Sequence, residues 1–156
     1  MGNQQERLFD LGWLVGSFES EGGFCLAKSC CNKRGWRYTP LCTISNTDNN
    51  FIFACIEILK SLDIPHYVCF KRSTGKHRPC RDIIIRGYQR CDKFLKFIIP
   101  LLKTKKDQAN LMREFIDYRL SKNYRYPYGE YEDNAHKRMK ELNKIPRDYT
   151  PDFINK

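Results

Sequence analysis

Trp13-Leu14-Val15-Gly16-Ser17-Phe18-Glu19-Ser20-Glu21-Gly22-Gly23-Phe24 joins a helical apolar pattern to an extended one through two acids and two glycines. Upstream and through it, apolar residues fall at Leu8, Leu11, Leu14, Val15 and Phe18, a three-to-four spacing that predicts a helix over 8–20 with that face buried. Gly12, Gly16 and Ser20 stand four apart, on one stripe with almost no side chain, where a second helix can approach backbone to backbone. Gly22 and Gly23 stop the helix and turn the chain into a strand, so Glu21 projects from the junction, with Glu19 two residues behind it.

Beyond the glycines, 23–31 and 36–45 read as two strands around the basic turn Asn32-Lys33-Arg34-Gly35. Asn46-Thr47-Asp48 offers capping side chains to a second helix, whose buried residues would be Phe51, Ile52, Cys55, Ile56, Ile58 and Leu59. A second hairpin follows, with arms 67–72 and 81–86 around a loop carrying Lys76 and Arg78. Helical spacing resumes over 91–99 and 107–120, with Pro100 between. The expected class is therefore α+β, ordered α-β-β-α-β-β-α-α, with a four-stranded antiparallel sheet made of two hairpins and helices on one face. A core over 1–123 precedes an extension, 124–156, whose segment 132–144 reads as a charged, mostly exposed helix.

Length and composition set the outer bounds. A chain of 156 residues suits one packed core, and 41% hydrophobic residues argue against disorder. No apolar run reaches the ~20 residues of a membrane span, so no membrane partner is expected. The 28 Lys and Arg against 18 Asp and Glu give a net charge of +10, spread along the chain, which favours a polyanionic partner without naming a reaction. Eight cysteines accompany the polar opening from Met1 to Arg7, which does not read as a signal peptide. An intracellular, reducing compartment is expected, an organelle or a prokaryotic cytoplasm alike. There is no CxxC, and Cys30 and Cys31 are adjacent, so the cysteines read as small, mostly buried hydrophobes and not as a zinc site.

The opening stretch resembles the signature of the LAGLIDADG homing endonucleases, with Gly16 at the helix glycine, Glu19 at the first acid and Glu21-Gly22 closing the motif. Two further stretches are similar to the same family. Pro100 to Leu111 looks like the segment leading out of the sheet, where Lys105 matches a catalytic-site lysine, with Lys103 and Lys106 beside it. Ile44-Ser45-Asn46-Thr47-Asp48 resembles the corner at which a polar side chain positions water, here Asn46, with Asn50 one turn on. The resemblance implies an intron-encoded, site-specific DNA endonuclease that cuts both strands with a stagger, its catalytic residues Glu21, Lys105, Asn46 and Asn50. The metal would be Mg²⁺ (or Mn²⁺), held by Glu21 and the Ser20 backbone carbonyl, with Ca²⁺ as a substitute that does not support cleavage. Glutamate stands at both acidic positions where the family commonly has aspartate, which moves each carboxylate by about one methylene.

Period-two alternation assigns the sheet faces from the residues themselves. Trp36, Tyr38, Cys42 and Ile44 share one face, so Arg37, Thr39, Leu41, Thr43 and Ser45 share the other. By the same rule Ser29, Tyr67, Lys71, Asp82, Ile84 and Arg86 would point to DNA, while Lys33, Arg34, Arg72, Lys76 and Arg78 at the tips would hold phosphates or outer bases. Only one acidic helix followed by glycine is present, so one chain supplies half a site. A C₂ homodimer on a pseudopalindromic duplex is expected, with Gly12, Val15, Gly16 and Glu19 at the interface. Two alternatives stay open: an intron maturase acting on intron RNA, which needs the basic surface but not Glu21, and a DNA-binding relative without catalysis.

Overall fold

The computed structural model describes residues 3–31, 35–72, 75, 78–123 and 125–144. Asn3 starts the first helix with a reciprocal cap: the Gln5 N–H donates to its side chain, and its own N–H donates to Glu6. That cap lets α1 (Gln4–Glu21) begin before the apolar spacing marks it. The chain then runs through β1 (Gly22–Cys31), β2 (Gly35–Asn46), α2 (Asn49–Ser61), β3 (Tyr67–Lys71), β4 (Cys80–Arg86), α3 (Tyr88–Ile98), α4 (Lys106–Leu120) and α5 (Glu130–Leu142). This is the α+β order expected, followed by the helix of the extension. Gly87, between β4 and α3, has φ +103°, a conformation that disfavours any side chain, and its N–H donates to Pro40 O of β2.

All the strand pairs are antiparallel, and the sheet order is β1-β2-β4-β3. The second hairpin therefore joins the first through β4, leaving β3 at an edge with every residue exposed. The ladder pairs Phe24 with Cys42, Cys42 with Ile85, and Ile44 with Ile83, placing them with Leu26 and Tyr38 on one face, all buried. Against that face lies one core, in which the Phe18 ring packs edge-on to Phe24 at 4.8 Å and to Phe94 at 5.3 Å. Burying each such ring contributes about 2 kcal/mol.

Three expectations need correction. Leu8 is not on the buried face: the helix starts before the core does, and Leu8 and Phe9 are 63% and 75% exposed. The cysteines are divided by sheet geometry. Cys42, Cys55 and Cys91 are buried, and burial pushes the Cys55 thiol up to about 11, whereas Cys25, Cys30 and Cys69 are exposed. Cys25 and Cys69 share the uncovered sheet face, because they pair with Leu41 and Asp82 and not with core residues. Finally, α5 is charged but not simply a solvated rod. Glu132, Ala135 and Met139 are buried, and Asn143 just beyond it donates to Phe24 O of β1 at 2.8 Å.

Candidate active site and nucleic-acid face

At the end of α1 the chain enters β1 without a connecting loop, because Gly22 is both the helix cap and the first strand residue. A Cβ at Gly22 would lie 2.7 Å from Phe18 Cγ, so only glycine fits this turn without displacing the ring. Glu21 is left exposed at the corner, and among the described residues no hydrogen bond or ion pair occupies its carboxylate.

Glu19 is differently placed. Its carboxylate accepts the backbone N–H of Lys103 at 2.5 Å and of Thr104 at 2.6 Å, and the Thr104 hydroxyl at 3.4 Å. Burial works to raise its pKa, but the N–H groups of Thr104, Lys103 and Lys105 outweigh it and hold the carboxyl below its ordinary value. The anchored loop aims Lys105 back at the helix. Its ammonium donates to Phe18 O at 3.1 Å and to Gly22 O, and lies 5.7 Å from the centre of the Phe18 ring. Partial burial lowers the Lys105 pKa, opposed by the charges of Glu19 and Glu21, which place both acids in its electrostatic neighbourhood. The last turn of α1 contains no basic residue of its own, so Lys105 supplies the cation that the carbonyl end of the helix dipole favours.

The ladder sets Asn46 at the same end of the sheet. Gly22 pairs with Ile44, and Asn46 follows two residues later. Its side-chain oxygen accepts the Asp48 N–H at 2.8 Å, and the Asp48 carboxylate in turn accepts the Asn50 N–H at 2.8 Å, capping α2. Asn50 is exposed on the first turn of that helix. Arg81, paired with Asn46, donates to Asn49 at 2.7 Å; the period-two reading had not singled out this pair.

Ser29, Arg37, Thr39, Thr43, Tyr67, Lys71, Asp82, Ile84 and Arg86 all fall on the sheet face opposite the core, because each pairs across the ladder with another member of that face. Arg72 and Arg78 flank the β3–β4 connection and are exposed, while Lys33, Arg34 and Lys76 lie outside the described residues. Asp82 is the unusual member. It is 5% exposed and ion-paired with Lys71 at 2.5 Å, yet its other carboxylate oxygen is buried with no hydrogen-bond partner. An unpartnered buried acceptor is costly, and a donor arriving from outside the sheet would relieve it.

No family model and no curated protein matches this chain. Solved structures do. I-CvuI, in complex with the I-CreI target in 2 mM Mg, superposes with a TM-score of 0.57 at 16% identity, over 90% of this chain and 98% of that one. The archaeal intron-encoded I-Vdi141I, complexed with DNA, gives 0.58 at 16% identity, over 86% and 96%. I-SmaMI, bound to uncleavable DNA, gives 0.65 at 12% identity over 86% of this chain but only 44% of its own. This chain has the LAGLIDADG homing-endonuclease fold. It matches some proteins of that fold across nearly their whole length and another across about half.

Within the homing-endonuclease fold, the α1 stripe is only partly as expected. Gly12 and Gly16 are exposed, and nothing lies within 4 Å of a Cβ built on either. Val15 is 4% exposed and belongs to the core of its own chain, so it has little surface to offer a second helix, while Glu19 is partly exposed with its carboxylate turned to the 103–105 loop. The exposed side chains beside the glycines are Leu8, Phe9 and Trp13, with Trp13 packed on Phe51 at 5.5 Å. Their apolar spacing was visible, but a buried and an exposed apolar face look alike in one dimension.

Among the described residues no cluster of three or more His, Cys, Asp or Glu side chains is placed to hold a metal ion. A cluster of that size makes a dedicated protein cage, of the kind that zinc or calcium takes. Mg²⁺ is commonly held by one or two carboxylates, with waters and phosphate oxygens completing the shell, so a single exposed carboxylate with the Ser20 carbonyl nearby fits that ion. No helix among the described residues is long and apolar enough to cross a membrane.

Proposed function

We propose that this chain is one subunit of a site-specific, double-strand DNA endonuclease. The observation that carries the reading is the corner at which Glu21, unoccupied by other side chains, stands beside the loop-borne Lys105 at the end of an open, basic sheet face. That I-CvuI and I-Vdi141I, which share the fold, were solved on DNA supports a duplex as the partner of this face.

The open sheet face lies along the major groove, wide enough for a β-ribbon, with Arg37, Lys71 and Arg86 reaching base edges and phosphates and Thr43 and Asp82 discriminating donors from acceptors, while Thr39, 5% exposed, supports them from within the face. Glu21 and the Ser20 carbonyl would hold Mg²⁺ at the sheet's end, and the bound ion would supply polarisation of the scissile phosphate and a lowered pKa of the attacking water. The Lys105 ammonium stabilises negative charge developing on the phosphate, and Asn46 and Asn50 orient water at the same end of the sheet. Two chains meet along Gly12 and Gly16, covering Leu8, Phe9 and Trp13. The full-length match to I-CvuI beside the half-length match to I-SmaMI supports a site made of two such units.

Selection of cleavable sequences from a DNA library supplies the target, and plasmid carrying it should be linearised in Mg²⁺ and untouched in EDTA. Glu21→Gln should abolish cutting while specific binding remains measurable. Full activity in that variant would remove Glu21 from the mechanism, and binding without any metal-dependent cutting by the unaltered chain would identify a relative that has lost catalysis.

A further inference from the structure

At the other end of β2, about 26 Å from the Glu21 corner if Trp36 to Ile44 are counted at a strand's rise, a cleft of about 970 Å³ opens between the sheet and the α4–α5 connection. Aromatic rings and cations line it: Trp36, Arg37, Lys122, Arg125, Tyr126 and Tyr128. Among the described residues no acidic side chain lines it. Arg119, at its base, is already neutralised by Glu132 at 2.7 Å and stacked 3.9 Å from the Tyr128 ring. Arg37, Lys122 and Arg125 have no ion-pair partner among the described residues, so three charges remain for an anion. Trp36 and Tyr126 keep about half their surface exposed, 53% and 44%, beside the ammonium groups of Lys28 and Lys122 that lie 4.7 Å and 5.2 Å from their ring centres, although large aromatics gain most by being covered.

We infer that this cleft binds single-stranded nucleic acid, taking an unstacked base against the Trp36 and Tyr126 rings and its flanking phosphates on Arg37, Lys122 and Arg125. A continuous duplex presents only phosphates to such a site, because its base faces are already stacked; cations alone would serve it, and the exposed rings would remain uncovered. A strand with splayed bases uses both chemistries. The site shares Arg37 with the edge of the duplex face but otherwise lies apart from it, at the far end of β2 from the Glu21 corner, and adds a second nucleic-acid contact to the proposed endonuclease.

The test uses the full chain and fluorescently labelled single strands of about a dozen nucleotides, one RNA and one DNA, followed by anisotropy beside an abasic strand of the same length. Both base-bearing strands should bind saturably, and Tyr126→Ala and Arg125→Glu should each weaken binding by about ten-fold, within the range of one stacked base. Tyr126→Phe should bind like the unaltered chain, which separates lost stacking from misfolding. The abasic strand should bind weakly and be indifferent to Tyr126→Ala. Preference for RNA would name intron-like RNA as the source and equal affinity would admit either strand. Abasic binding as tight as that of the base-bearing strands, or unaltered affinity in both the Ala and the Glu variants, would overturn the inference. Cleavage of duplex by the Glu21 site is read separately, so either proposal can fail alone.

Discussion

The Glu19 carboxylate accepts the Thr104 backbone N–H at 2.6 Å across 85 positions of sequence, and that contact fixes the loop from which Lys105 reaches the end of α1. The first acid of the motif is thus a positioning group, and the second is the one left free at the corner.

If so, Glu19→Gln should weaken the loop without removing the Glu21 carboxylate. The folded-state pKa of Glu19 lies below its ordinary 4.5, so the stabilisation it gives is present above that value and is lost as pH falls through the lower, folded one. Urea denaturation should show the unaltered chain more stable than the variant at neutral pH, with the gap closing in acid. A gap that widened in acid would contradict the sign.

Lys105→Met is expected to slow single-turnover cleavage on the order of a hundred-fold while changing duplex affinity far less. In the proposed mechanism the ammonium acts at one phosphate, whereas affinity would be spread over many cations along the sheet. Equal losses in rate and affinity would make Lys105 only a binding residue.

Gly22→Ala should destabilise the chain by about 1–3 kcal/mol, since the new methyl meets the Phe18 ring and the Phe18 carbonyl. Chemical denaturation measures it, and Gly12→Ala is the control, because nothing lies within 4 Å of a Cβ there. If the proposed dimer is correct, Gly12→Ala should instead show its effect in sedimentation, as weaker association.

Glu132→Ala leaves Arg119 buried without its counter-charge, with the Tyr128 ring and the carbonyls of Tyr126 and Pro127 to receive it. A loss of about 3–5 kcal/mol is expected. Replacing both partners, as Arg119→Met with Glu132→Leu, should recover most of it in thermal denaturation, because the cost is the orphaned charge.

The sequence by itself determined what depends on neighbours along the chain. Helix periodicity placed Leu14 and Phe18 inward, two glycines marked the α1–β1 junction, and strict alternation put Arg37, Thr39 and Thr43 on the face opposite Tyr38 and Cys42, because pleat geometry is local. Tertiary structure alone decided the rest. It made β4 the inner strand and β3 the edge, it gave α5 a buried side against β1, and it left Cys25 and Cys69 uncovered while Cys42 and Cys91 vanished into the core. It also gave Glu19 and Glu21, two residues apart and chemically identical, opposite surroundings. One meets a loop from the far end of the chain and the other faces solvent, a difference set by contacts between distant segments that no local pattern encodes.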